Sequence, residues 1–267
     1  MDIKKRKREA LLRKELAAVE KQEKKLRDSA LKAKPNSLKS SIEAKIPARV
    51  YSGLESAFCK GFSVVFSQGR AVIEKSYNKE NIQADYAIRD YAVQIKGGRR
   101  ELRSMRKSAG QSGALNMAIT TVEGIALGAL GIGMPDILLF LSTLLKGVYE
   151  TALNYGFDYS SKYEQYIILK MMQTALSTGK DWERLDAQIE DLFLSGEQEL
   201  SDEAFETQLN STASSFAIDM LLLKFVQGLP ILGIIGGAVN PVYYSKIMKY
   251  VSLKYRKQYL LNIMAKM

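Results

Sequence analysis

The sequence predicts an all-α protein: a multi-helix domain with two glycine-rich apolar regions of helical hairpin-like character, preceded by a charged helical N-terminal arm. Three observations carry this. Apolar residues return at intervals of three and four through most of the chain, as one face of a helix requires. The first thirty or so residues are dominated by Ala, Leu, Glu, Lys and Arg, with neither Gly nor Pro before Pro35. Two separate apolar stretches repeat the same construction, each with closely spaced glycines and a proline break.

The arm and its linker occupy residues 1–45. Leu12, Leu16, Val19 and Leu26 follow one another at spacings of 4, 3 and 7, a thin stripe that suits a solvated helix, a coiled-coil seam for self-association, or a basic arm drawn to an anionic surface. Pro35, Asn36 and Ser37 mark the linker. Residues 46–267 form the helical domain. Tyr51, Leu54, Phe58, Phe62, Val65 and Phe66 give a core-facing helix within 46–77, and a second helix over 81–95 stops at Gly97 and Gly98. Arg99, Arg100, Arg103, Arg106 and Lys107 follow against Glu101 alone, a basic face placed just before an apolar region.

The first glycine-rich region runs from Ala114 to Val148 and the second from Phe216 to Tyr244. Gly124 with Gly128 and Gly233 with Gly237 are small-xxx-small pairs that let helix backbones approach closely. A helix that crosses a bilayer needs roughly 20 apolar residues. Glu123, Pro135, Asp136 and Lys146 interrupt the first region, and Pro230 and Pro241 cut the second into a piece of about 11 residues, roughly 16 Å of helix. Core packing or interfacial insertion fits that length better than a crossing.

Between these regions lie the turn Tyr155-Gly156-Phe157-Asp158 and a helix over 161–176. Residues 181–206 form an acidic surface segment with ten acids and the single base Arg184. The C-terminal helix sets Tyr244, Ile247, Met248, Val251, Tyr255 and Tyr259 on one face and Lys246, Lys249, Arg256 and Lys257 largely opposite. Tyrosine bodies with cationic tips suit a headgroup boundary, and equally a closing core helix with a solvated side.

Composition excludes much chemistry. The 267 residues contain no His and only Cys59, so imidazole bases, Ser-His and Cys-His pairs, thiolate metal cages and intrachain disulfides are all ruled out. No metal or cofactor is expected, since neither a phosphate loop nor a dinucleotide fingerprint occurs. The basic start leads into charged helix instead of an apolar stretch with a cleavage site, unlike a secretory signal. The net charge of +10 is local: residues 1–49 hold 16 basic and 7 acidic groups, leaving the rest almost neutral. Lysine without interleaved aromatics offers nucleic acid no stacking platform, so that partner is disfavoured. Glu123, Asp136 and Asp219 sit in apolar company and are the acid-base candidates, although pairing with Lys146, Lys224 or backbone amides is the simpler fate.

The run Thr120-Thr121-Val122-Glu123-Gly124, then Leu127-Gly128, Gly131, Gly133-Met134-Pro135-Asp136-Ile137, Tyr155-Gly156-Phe157-Asp158-Tyr159 and Glu164 resembles the EcsC family. Leu229-Pro230-Ile231-Leu232-Gly233, Gly236-Gly237-Ala238 and Asn240 resemble its second glycine-rich signature, and the likeness covers about Ile46 to the C-terminus. The family takes its name from a bacterial operon that also encodes an ABC transporter. The resemblance therefore implies a bacterial protein at the cytoplasmic face of the membrane, with ABC transporter subunits as partners, and brings no catalytic residues. The expectation is a peripheral accessory protein that meets anionic membrane through Arg99, Arg100, Arg103, Arg106, Lys246, Lys249, Arg256 and Lys257. The alternative is a membrane-proximal enzyme that uses a buried carboxylate such as Glu123. Because the arm carries few apolar residues, removing everything before Ile46 is expected to leave the domain folded.

Overall fold

A computed structural model describes residues 3–32, 47–115, 135–226 and 241–267, and the regular structure among them is helical, with no strand. Ile3–Lys32 forms α1. Ala48–Val64 is α2, which continues through a single π-turn at Val65–Gly69 into α3, Arg70–Lys75. Then come α4 (Lys79–Ile95), α5 (Arg99–Leu115), α6 (Pro135–Asn154), α7 (Lys162–Leu176), α8 (Gly179–Ser195), α9 (Asp202–Val226) and α10 (Pro241–Ala265).

The helix boundaries follow local chemistry. Asn78 caps α4 by accepting the Asn81 amide at 2.8 Å, and Ser161 caps α7 by accepting the Glu164 amide at 3.1 Å. Gly97 ends α4 at φ +55 and Gly196 ends α8 at φ +73, left-handed positions where a side chain would be strained.

Two parallel helices, α6 and α10, form the centre. Gly147 approaches Tyr244 and Met248 near the start of α10, and further along the Tyr155 ring meets Tyr259 at 5.8 Å. From Ile137 to Tyr155 nearly every residue of α6 is buried. Phe140, Phe58 and Phe62 gather around Phe216, joining α6, α2 and α9.

Helices α1, α5 and α7 run opposite to α10. Glu15 of α1 meets both Arg256 and Arg106, while Gly97, just before α5, touches Arg8 near Ile263 and Met267. Tyr255 reaches Glu164 at the start of α7. Helix α9 runs with α7, from Asp202 beside Lys162 to Asp219, whose carbonyl accepts the Tyr243 hydroxyl. An upper end thus collects the ends of α5 and α9 and the starts of α6 and α10. A lower end collects the starts of α1 and α5 with the end of α10.

Helix α1 is not a solvated arm. Leu12 and Val19 are fully buried, with Leu16 and Leu26 packed against the same core. The apolar stripe is thin, yet it is enough because charged residues on either side of it find partners on α8 and α10.

Candidate functional site

Among the described residues, a dense polar cluster lies where α1, α8 and α10 meet. Lys254 Nζ stands 2.5 Å from Glu23, 2.7 Å from Asp186 and 2.5 Å from Glu190, and its side chain is 1% exposed. Lys257 bridges Glu23 and Glu190 at 2.8 and 3.0 Å, and the Tyr250 hydroxyl donates to Asp186. Burial works to lower the Lys254 pKa, but Asp186, Glu23 and Glu190 outweigh it and raise the value. Three carboxylates brought this close could hold a metal ion. Here the protein's own ammonium group takes that position, so the cluster is a cross-link between three helices.

A second cluster fastens the turn after α6. Gly156 adopts φ +82, and a Cβ there would fall 2.2 Å from the Tyr86 ring; only glycine fits. The Tyr149 and Tyr159 rings stack at 4.0 Å. The Tyr159 hydroxyl donates to Glu74 at 2.8 Å and shares a 2.5 Å hydrogen bond with Tyr77. Arg70 and Lys79 donate to Ser160, and Asp158 accepts the Ser160 amide. Phe157 covers Tyr255 at 5.0 Å between ring centres. Beneath it Glu164 accepts the Tyr255 hydroxyl at 2.6 Å. Burial raises the Glu164 pKa to about 7, the Tyr255 hydrogen bond opposing it, with Glu197 and Asp158 adding to the rise.

The eight cations named from the sequence divide three ways. Arg99, Arg100 and Arg103 lie exposed at the lower end. Arg106, Arg256 and Lys257 pair with α1 or α8 along the side of the bundle. Lys246 and Lys249 are exposed near the upper end, where Lys246 pairs with Asp219 at 3.8 Å. They do not form one surface. Helix α10 alone is 25 residues long, which separates the two ends by about 37 Å.

Of the carboxylate candidates, Asp219 is thus accounted for by an ion pair. Asp136 follows Pro135 in the first turn of α6. Glu123, Gly124, Gly128, Pro230, Gly233, Gly237 and Asn240 lie outside the described residues, and Tyr155, Gly156 and Phe157 form the turn described above. Sequence reasoning passed over Lys254, which interrupts the apolar face between Val251 and Tyr255. That misplaced charge was the available signal. Glu164 was noted only as part of a motif, with nothing in its neighbours to mark it as buried.

The sequence profile of the EcsC protein family matches residues 11–260. The chain belongs to the EcsC family. The match begins inside α1, so it takes in the helix that sequence reading alone had left outside, in agreement with the burial of Leu12 and Val19. No curated protein and no solved structure matches the chain. No described helix of this EcsC-family protein is long and apolar enough to cross a membrane.

Proposed function

We propose that this EcsC-family protein is a peripherally membrane-associated accessory protein that works at the cytoplasmic face of a membrane, with an ABC transporter as its class of partner. One observation carries the membrane reading. The helix ends that bracket both glycine-rich segments, Leu115 and Pro135 for one and Val226 and Pro241 for the other, lie at the same end of the bundle. The described ends that lead into and out of these two glycine-rich sequences therefore share one end of the bundle with the exposed Lys246, Lys249 and Arg49. The transporter partner and the cytoplasmic side rest on the family resemblance.

The enzyme alternative gains little support. Glu123, on which it rests, lies outside the described residues, and Glu164, whose pKa burial raises to about 7, is enclosed where α7 packs on α10.

Sedimentation with liposomes tests the reading. Protein should bind vesicles that contain anionic lipid and keep a fraction bound in high salt, because apolar contacts are not screened as surface charges are. Leu130→Asp combined with Ile234→Asp should remove the salt-resistant fraction, and Lys246→Gln with Lys249→Gln should weaken the salt-sensitive one. Arg99→Gln, Arg100→Gln and Arg103→Gln should leave both nearly unchanged, since these residues face the other way. Absence of binding at low salt would discard the membrane reading.

A further inference from the structure

No described residue covers the outer face of α4. Ile88, Tyr91 and Ile95 are 68%, 67% and 65% exposed, and with the exposed Ala84 they follow at spacings of 4, 3 and 4. That alternation is the a/d seam by which one helix packs against another. The inner face of α4 already has its partners: Val93 is buried, Arg89 bonds Asn154, and Asp90 accepts the Tyr259 hydroxyl. The outer seam extends over about 16 Å, three helical turns.

At Ile95 the seam opens into a cleft of about 880 Å³ at the lower end, whose cationic walls come from Lys5, Lys7, Arg8, Lys96 and Lys266. Among the described residues that line it there is no Asp or Glu, although Lys5 donates to the main-chain oxygen of Met267. Arg99, Arg100 and Arg103 continue the positive field on exposed positions of α5, while nearby Glu9 is paired with Arg13.

We infer that this surface docks an acidic amphipathic helix of a partner protein, with apolar residues along the α4 seam and carboxylates in the cleft. The seam fixes the shape of the occupant, because a ridge with three-four spacing complements a helix. The cleft fixes its charge. It also fixes polarity: the C-terminal end of a helix carries negative dipole charge, so that end lies over the cations. A bilayer fits poorly. Its flat headgroup layer cannot follow the concave cleft. The inference is independent of membrane attachment at the upper end.

The test uses the full chain and a synthetic peptide of roughly 18 residues, about five helical turns. Leu follows three-four spacing along it and Glu fills its C-terminal turns; a scramble of the same composition is the control. By fluorescence anisotropy the ordered peptide should bind at least about tenfold more tightly than the scramble. Ile88→Ser with Tyr91→Ser, and separately Arg99→Gln with Arg100→Gln and Arg103→Gln, should each weaken it about tenfold without moving the thermal midpoint, since all five side chains are exposed. Equal binding of peptide and scramble would reduce the surface to bare electrostatics, and no binding of either would remove it as a docking site. Phosphatidylserine vesicles that lose binding in the Ile88→Ser, Tyr91→Ser variant would make it a membrane surface instead. Each of these three results overturns the inference.

Discussion

Lys254 and Glu164 are both buried ionisable groups on helices that pack together, 1% and 8% exposed, and the protein treats them in opposite ways. Lys254 receives three carboxylates from two other helices and is held charged. Among the described residues Glu164 receives one tyrosine hydroxyl and no cation, and burial pushes its pKa up to about 7. A buried charge is tolerated when partners replace its lost hydration, and otherwise it is neutralised. The first case ties α1, α8 and α10 together. The second leaves a carboxyl whose pKa burial raises beneath the Tyr155-Gly156-Phe157 turn.

The largest expected effect comes from taking the partners of Lys254 away. Removing every residue before Ile46 deletes Glu15 and Glu23 and uncovers the surface buried by Leu12 and Val19, so the packing predicts loss of the cooperative thermal transition or a large fall in its midpoint. This reverses the expectation drawn from the sequence. The single change Lys254→Met should cost about 3 to 5 kcal/mol at pH 7, because Glu23, Asp186 and Glu190 then face one another with only Lys257 between them. Urea unfolding measures it. A truncated protein as stable as the full chain would show that α1 is a detachable cover and that the Lys254 cluster is no cross-link.

The comparison also shows how far the sequence could be read. Helix identity and order, and the stop at Gly97, were legible because they are local; the Asn78 and Ser161 caps act just as locally but were found in the structure. The packing of α1 was not legible. Its seam is thin, with Leu12, Leu16, Val19 and Leu26, and the acids that pair it with α10, Glu15 and Glu23, meet residues more than 230 positions away. Residues 1–49 are net basic and residues 181–206 net acidic, but net charge does not say which side chains meet. Arg27 does meet Glu183, yet the buried contacts run from acids of α1 to cations of α10. The cations read as one membrane face were indistinguishable in sequence, since exposure, pairing and position along a helix bundle leave no composition signal.

Glu164 should show the next largest effect, with opposite sign. In the folded chain its carboxyl keeps its proton up to about pH 7, whereas in the unfolded chain it releases it near 4.5. Between those values the folded state binds more protons, so stability falls as pH rises, by about 1.4 kcal/mol per unit. Glu164→Gln cannot ionise and still accepts the Tyr255 hydrogen bond. It should match the parent near pH 4 and exceed it by roughly 3 kcal/mol at pH 8. A constant difference across that range would mean that Glu164 stays charged, with a partner that shields it.

The smallest expected effect isolates burial as the cause of the contrast. Arg27 and Glu183 join the same helices, α1 and α8, with two guanidinium nitrogens donating to one Glu183 oxygen at 3.1 and 2.5 Å, but their side chains are 57% and 38% exposed. Water already satisfies both ends, and holding two long side chains costs entropy that the screened attraction barely offsets. Arg27→Ala, Glu183→Ala and the double variant should give a coupling energy of about 0 to 1 kcal/mol that shrinks with salt. Coupling of 3 kcal/mol or more would place the strength of the interface in the number of ion pairs, and the special status of Lys254 would go with it. Weak coupling here beside a large loss in Lys254→Met would locate the fastening of α1 in the dry part of the interface, where the ammonium group has no water to fall back on.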